Sequence, residues 1–174
     1  MSDEELWRNL ALVHKTSEVK LAIFDDFLKQ HPEILERCIV FVETTEYGSL
    51  VLELIHKYRY DFHTYFGSED PSLLNRFAKG KLECLLTCHR LSEGIDIRNL
   101  KNIVLFSSAK SRLETIQRIG RSLRTDPEDK RKIANVVDFI RVSDNERKTA
   151  DEERESWLES ISNIRPEDWS DDVN

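Results

Sequence analysis

Three polar side chains recur at helical spacing in the run Gln-Arg-Ile-Gly-Arg-Ser-Leu-Arg, which covers residues 117–124. At about 100° per residue, Gln117, Arg121 and Arg124 fall within about 60° of one another on a helix. Such a helix would present two guanidinium groups and an amide to one point, which suits an anion. Gly120 costs that helix about 1 kcal/mol relative to alanine, and close approach of a ligand or another backbone would explain it. A solvated basic face with an incidental glycine explains the pattern equally well.

A second polar segment follows the apolar run at residues 83–87 and contains Gly94 and Asp96, in the sequence Glu-Gly-Ile-Asp-Ile. In open parallel sheets, ligands bind beyond the carboxyl ends of the strands. A loop at that edge could offer backbone N–H groups and a carboxylate, for example to a ribose. A loop in which Asp96 only caps or turns the chain is the alternative.

These two segments need a scaffold, and the hydrophobic pattern predicts an α/β one. Short apolar runs rich in β-branched residues indicate buried strands, and apolar residues spaced by three and four indicate helices. Because the two alternate, we expect a mainly parallel central sheet with helices on both faces and right-handed crossovers. The predicted strands are residues 38–42, 61–66, 83–87, 102–106 and 134–140. The predicted helices are residues 3–14, 17–30, 46–58, 71–77, 112–124 and 143–163. Asp70 is the predicted N-cap of the helix at 71–77.

The charge balance says little about partners. The chain has 174 residues and a formal net charge of −7, and residues 144–174 account for the whole excess of acid. Residues 107–132 are basic, so local contact with phosphate is compatible with the acidic total. No apolar run is long enough to span a membrane, and the N-terminus lacks a signal-peptide pattern. We therefore expect a cytoplasmic protein with no membrane partner.

The three cysteines are too few for a disulfide framework. Cys84, Cys88 and His89 are of the ligand types that zinc prefers. Their spacing is poor for a metal site, however, and Cys84 lies inside an apolar run. We predict reduced thiols and no metal.

Residues 117–124 resemble helicase motif VI in its Q-R-x-G-R-x-x-R form, and residues 93–97 resemble the end of motif V. The apolar strand at residues 39–43 is similar to motif IV. In order and spacing, residues 17–141 resemble the second RecA-like domain of superfamily 2 helicases and translocases. The motifs are closest to the XPB-like, RadD-like and restriction-enzyme motor branch.

The resemblance implies a role in ATP hydrolysis. Arg121 and Arg124 would be arginine fingers that reach the ATP phosphates across an interdomain cleft and stabilise the charge of the transition state. Gln117 would sense or hold the nucleotide, whereas Arg118 would anchor the motif through an ion pair. The positions assigned to nucleotide binding are Gly94 and Asp96, on the ribose side, and Arg118.

The resemblance also implies contacts with the backbone of a nucleic acid, which carry no base preference. The matching positions are Thr44, Thr45, Gly67 and Thr87. Many relatives have Ser or Thr where Cys88 stands, and cysteine is a poor hydrogen-bond donor. Either Thr87 replaces that contact or the contact is missing.

Double-stranded DNA is favoured over RNA as the nucleic acid. DEAD-box RNA helicases carry a histidine where Gln117 stands and a glycine where Leu123 stands. The C-terminal domain of an RNA helicase is the alternative.

The sequence has no G-x-x-x-x-G-K-[ST] phosphate loop and no Asp-Glu pair at the end of an apolar strand. ATP and Mg²⁺ would therefore be held mainly by an N-terminal RecA-like domain. The chain is thus predicted to be the second half of an ATP-dependent helicase or translocase. By itself we expect it to hydrolyse no ATP.

The predicted organisation is a RecA-like domain over residues 1–142, with a helical lead-in at 1–37, an acidic helix at 143–163 and a flexible tail at 164–174. Two other classes of function compete. One is a non-catalytic RecA-like interaction module whose arginines bind an acidic partner. The other is a small-molecule enzyme, which is disfavoured because no glycine-rich dinucleotide loop follows the first strand.

Overall fold

The computed structural model describes Val13 and residues 16–88, 100–106, 134–140 and 149–162. The chain divides into two compact units, Met1–Asp138 and Phe139–Asn174. In the described part of the first unit, the strands are β1 (Cys38–Phe41), β2 (Phe62–Tyr65), β3 (Cys84–Thr87), β4 (Asn102–Leu105) and β5 (Asn135–Asp138). The helices there are α1 (Glu18–Gln30), a 3₁₀ turn (Pro32–Leu35), α2 (Thr45–Ile55) and α3 (Ser72–Ala78).

The five strands form one sheet in the order β2-β3-β1-β4-β5, and every neighbouring pair is parallel. All residues of β1, β3 and β4 are buried. Because successive side chains of a strand point to opposite faces of the sheet, both faces are covered at these strands. The predicted α/β class with a parallel central sheet is confirmed.

Helix α1 is fixed at its start by two hydrogen bonds of Ser17. The Ser17 side chain caps the helix by accepting from the backbone N–H of Val19 at 3.3 Å. The Ser17 carbonyl accepts from the hydroxyl of Tyr47 at 2.8 Å, which joins α1 to α2. The helix ends at Gln30, as predicted from Pro32, because the residue before a proline is disfavoured in the α conformation.

The exit of β4 is held by α1 and α2 together. Phe106 follows β4 and is fully buried. Its ring meets the ring of Phe24 edge-on at 5.1 Å and that of Tyr47 at 5.8 Å. The ammonium of Lys20 donates to the Phe106 carbonyl at 3.0 Å. The chain therefore leaves the sheet here at a fixed point.

Two predicted helix ends differ from the structure. Helix α2 stops at Ile55 rather than at residue 58, and Tyr58 instead turns its hydroxyl to the Asp25 carboxylate at 2.9 Å. Helix α3 begins at Ser72 rather than at Pro71, so that Pro71 and not Asp70 occupies the capping position. The carboxylate of Asp70 still accepts from the Ser72 N–H at 2.9 Å, so the predicted start is displaced and not lost. The predicted helix at 112–124 lies outside the described residues, as does that at 3–14 apart from Val13.

The three cysteines, of which Cys84 and Cys88 were considered as metal ligands, are divided between the core and its margin. Cys38 and Cys84 are register partners on β1 and β3, and burial raises the pKa of both thiols, that of Cys84 to about 12. The Cys84 thiol donates to the Leu35 carbonyl at 2.9 Å. Cys88 is partly buried, and His89 lies outside the described residues.

The second unit contains helix α4 (Ala150–Ser162), which lies within the predicted acidic helix at 143–163. It begins with a capping box. The Thr149 hydroxyl accepts from the Glu152 N–H at 3.2 Å, and the Glu152 carboxylate accepts from the Thr149 N–H at 2.6 Å. The boundary at residue 142 and the tail at 164–174 stay predictions. None of the helices described is both long and apolar enough to traverse a bilayer.

Candidate nucleic-acid interface

The carboxyl ends of three neighbouring strands are level with one another. In the register of the sheet, Thr87 at the end of β3 lies between Phe41 at the end of β1 and Tyr65 at the end of β2. The loops that leave these strands therefore begin side by side. All four residues predicted to contact nucleic acid lie on this edge, hereafter the carboxyl edge. They are Thr44 and Thr45 after β1, Gly67 after β2, and Thr87 in β3.

Thr44 and Thr45 form the start of α2. Thr44 is the N-cap, and its hydroxyl oxygen accepts from the Tyr47 N–H at 3.2 Å. Thr45 is the first helical residue and is exposed. The positive end of the helix dipole and the N–H groups of the first turn favour anions at this position. The structure therefore places the two threonines at a helix start, and their contact with phosphate stays a prediction.

Glu46 lies in the first turn of this helix. Its own backbone N–H, followed by the hydroxyls of Thr44 and Thr45, lowers the pKa of its carboxyl group. Sequence reasoning missed this residue. An acidic residue in the first turn after a threonine cap was the available signal.

The Glu46 contact predicts a dependence of stability on pH. The pKa of Glu46 is lower in the folded state than its usual value of 4.5. The carboxylate therefore stabilises the fold at pH values above 4.5, and this contribution is lost as the pH falls below 4.5 and through the lowered pKa. In urea unfolding, Glu46→Gln should therefore be less stable than wild type at neutral pH, and the two should converge in acid. Glu53→Gln, which removes an exposed carboxylate farther along α2, is the control. A difference between wild type and Glu46→Gln that is the same at every pH would contradict the assignment.

The turn after β2 depends on Gly67, whose φ is 101°. This conformation is disfavoured for residues with a side chain. One oxygen of the Glu69 carboxylate accepts from the backbone N–H groups of Phe66, at 2.7 Å, and of Gly67, at 2.9 Å. The N–H of Gly67 is thus on the carboxyl edge, as the predicted role requires, and it is bound by the protein's own carboxylate. Sequence reasoning missed Glu69.

A second glycine, Gly48, allows the loops after β1 and β2 to pack closely on each other. A Cβ atom on Gly48 would lie 2.9 Å from two ring carbons of Phe66 and 3.0 Å from a methyl carbon of Val42. These distances are shorter than van der Waals contact, so only glycine allows α2 to approach the turn after β2 this closely. The loops after β1 and β2 are therefore packed on each other.

Thr87 differs from the other three positions because it is fully buried. Its carbonyl accepts from the Val42 N–H at 3.0 Å. Its predicted contact with a phosphate stays a prediction, since in this conformation its side chain does not reach the surface. Cys88, which follows it, is partly buried, and burial, followed by the charges of Glu69 and Glu46, raises the pKa of its thiol.

The predicted nucleotide site lies outside the described residues. This holds for the motif VI positions and for the two motif V positions alike. The roles of these residues therefore stay predictions. The residues concerned are Gln117, Arg118, Arg121 and Arg124 in motif VI, and Gly94 and Asp96 in motif V.

Residues 19–126 match the family described as the helicase conserved C-terminal domain. The chain belongs to this family. The match includes both segments singled out above, residues 93–97 and 117–124.

Other helicase C-terminal domains resemble the chain in sequence and in fold. The ATP-dependent RNA helicase eIF4A of Encephalitozoon cuniculi is 31% identical over 110 residues, which are 60% of this chain and 25% of that protein. The C-terminal domain of the DEAD-box protein Dbp5 superimposes with a TM-score of 0.55 at 18% identity, over 80% of this chain and 78% of that one. The DUF1998 helicase MrfA bound to DNA gives a TM-score of 0.55 at 17% identity, over 68% and 18%.

These relatives show the family of the chain but not the narrower branch within it. The chain spans about 10% to 25% of the length of the curated relatives that it matches. The matches to DEAD-box proteins mean that the narrower XPB-like, RadD-like and restriction-enzyme branch stays a prediction. Membership in the helicase C-terminal domain family is established.

Proposed function

We propose that the chain is the second motor domain of an ATP-dependent DNA helicase or translocase. The observation that carries the proposal is the family match over residues 19–126. It is supported by the carboxyl edge, where the starts of two loops bring Thr44, Thr45 and Gly67 to one side of the parallel sheet. Backbone and hydroxyl donors at such an edge suit the sugar-phosphate chain of a nucleic acid.

In this proposal the chain supplies part of the ATP site and a partner domain supplies the rest. Arg121 and Arg124 contact the phosphates, and Gln117 holds the nucleotide. Two guanidinium groups and an amide in one helical sector are a donor set that fits phosphate oxygens. An N-terminal RecA-like domain of the same protein binds the triphosphate and Mg²⁺, because this chain has no phosphate loop. Gly94 and Asp96 contact the ribose side of the nucleotide, and Arg118 anchors motif VI through an ion pair.

We favour duplex DNA over RNA on the strength of Gln117 and Leu123, where DEAD-box RNA helicases carry histidine and glycine. The named relatives are of both kinds, since eIF4A is named an RNA helicase and MrfA was solved with DNA. Contacts limited to the phosphate backbone leave the choice of nucleic acid to the rest of the protein. The experiment below therefore includes both.

The test joins the chain to a phosphate-loop RecA-like domain and compares ATP hydrolysis by the joined protein with that of the 174-residue chain alone. We expect no turnover by the chain alone and a rate in the joined protein that duplex DNA increases. Stimulation by RNA and not by DNA would favour the RNA helicase alternative. Robust hydrolysis by the chain alone would contradict the proposal. No hydrolysis in any arrangement, with tight binding of an acidic protein, would favour the interaction module.

A further inference from the structure

The turn after β2 presents two adjacent N–H groups to one acceptor. Phe66 and Gly67 both donate to the same oxygen of Glu69, at 2.7 and 2.9 Å. Gly67 has a positive φ, and successive N–H groups in such a turn form a concavity that binds anions. A phosphate oxygen of a nucleic acid would need the same two donors in the same geometry.

The turn is exposed at Gly67, and the acceptor that its N–H now binds is part of the chain. Gly67 is exposed and Glu69 is only partly buried. The Glu69 oxygen that accepts from Phe66 and Gly67 lies directly against both donors at the carboxyl edge. A phosphate that approaches Gly67 therefore meets an occupied pair of donors and a negative charge of its own sign.

We propose, building on the function proposed above, that Glu69 competes with nucleic-acid phosphate for the N–H groups of Phe66 and Gly67. Phosphate binds at this turn when the Glu69 side chain rotates away. Glu69 thereby lowers the affinity of the domain for nucleic acid without contributing a contact of its own.

A purely structural role for Glu69 predicts a different result from the competing role. If the carboxylate only orders the turn, glutamine keeps an acceptor oxygen and the affinity stays unchanged, while alanine removes the acceptor and weakens binding. If the carboxylate competes, both substitutions remove the charge that opposes the phosphate. Both variants then bind nucleic acid more tightly than wild type.

The experiment measures the dissociation constant of the 174-residue chain for a short fluorescein-labelled DNA duplex by anisotropy at low and at physiological salt. We expect Glu69→Gln and Glu69→Ala to bind about five- to tenfold more tightly than wild type, the size expected for removing one like charge about 4 Å from a phosphate in water. Glu36→Gln is the matched control. It removes an exposed carboxylate just before β1, at the opposite edge of the sheet, and should leave the affinity unchanged.

Each result decides the inference. Tighter binding by both Glu69 variants, with circular dichroism unchanged, supports it. Unchanged or weaker binding by the Glu69 variants, with measurable binding by wild type, overturns it and leaves the proposed function intact. An equal gain in Glu36→Gln also overturns it, since the effect would then follow net charge alone. If neither wild type nor the variants bind the duplex, the DNA-binding part of the proposed function fails, and this inference fails with it.

Discussion

Replacing Arg124 with alanine lowers nucleic-acid-stimulated ATP hydrolysis by about 10³- to 10⁵-fold in the protein joined to a phosphate-loop domain. This is the range by which an arginine finger accelerates phosphoryl transfer in related NTPases. The loss arises because Arg121 alone is then left to offset the charge that develops on the phosphoryl oxygens. Steady-state phosphate release measures the effect, and circular dichroism checks that the fold is unchanged.

Arg112→Ala is the control for this prediction. Arg112 belongs to the same predicted helix but lies about 120° from Arg124 and about 180° from Arg121 on the helical wheel. We expect it to leave the rate within a few-fold of wild type. An Arg124→Ala protein that keeps more than about a tenth of the activity would show that this arginine is not a finger.

Replacing Phe106 with alanine lowers the free energy of unfolding by about 3–5 kcal/mol, the usual cost of removing a buried phenylalanine. Phe106 is fully buried and packs edge-on against Phe24 at 5.1 Å. The cavity would open where α1 and α2 meet the exit of β4. Urea unfolding followed by circular dichroism measures the change.

Phe27→Ala is the matched control for the core prediction. Phe27 lies on α1, as Phe24 does, but is only partly buried, so its removal leaves less of a cavity. We expect a clearly smaller loss of stability. Equal losses for the two variants would contradict the central position assigned to Phe106.

The fold could be predicted from the sequence because its signals are local. The run Cys-Ile-Val-Phe-Val predicts a buried strand on composition alone, and β1 is buried at every position. Helix ends were less predictable where a tertiary contact decides them. Tyr58 has no local reason to leave a helix, and its hydrogen bond to Asp25 joins residues 33 apart in sequence.

The candidate site also contains residues that the sequence could place and residues that it could not. Thr44, Thr45 and Gly67 could be placed on one edge, because carboxyl ends of parallel strands share an edge. Of the two carboxylates there, Glu46 had a local signal, an acidic residue in the first turn after a threonine cap, whereas Glu69 could not be predicted. Glu69 reaches the N–H groups of Phe66 and Gly67 only because Gly67 adopts a positive φ, and nothing in the spacing of these residues specifies that turn.

The hydrogen bonds of Ser17 bear on where this domain can be cut. The family match begins at Val19, two residues after Ser17, whose side chain caps α1 by accepting from the Val19 N–H. A fragment trimmed to the match would lose both the side chain that caps α1 and the carbonyl that receives the Tyr47 hydroxyl. A shortened version of the domain should therefore begin before the family match and keep Thr16 and Ser17, which would preserve the hydrogen bond between α1 and α2.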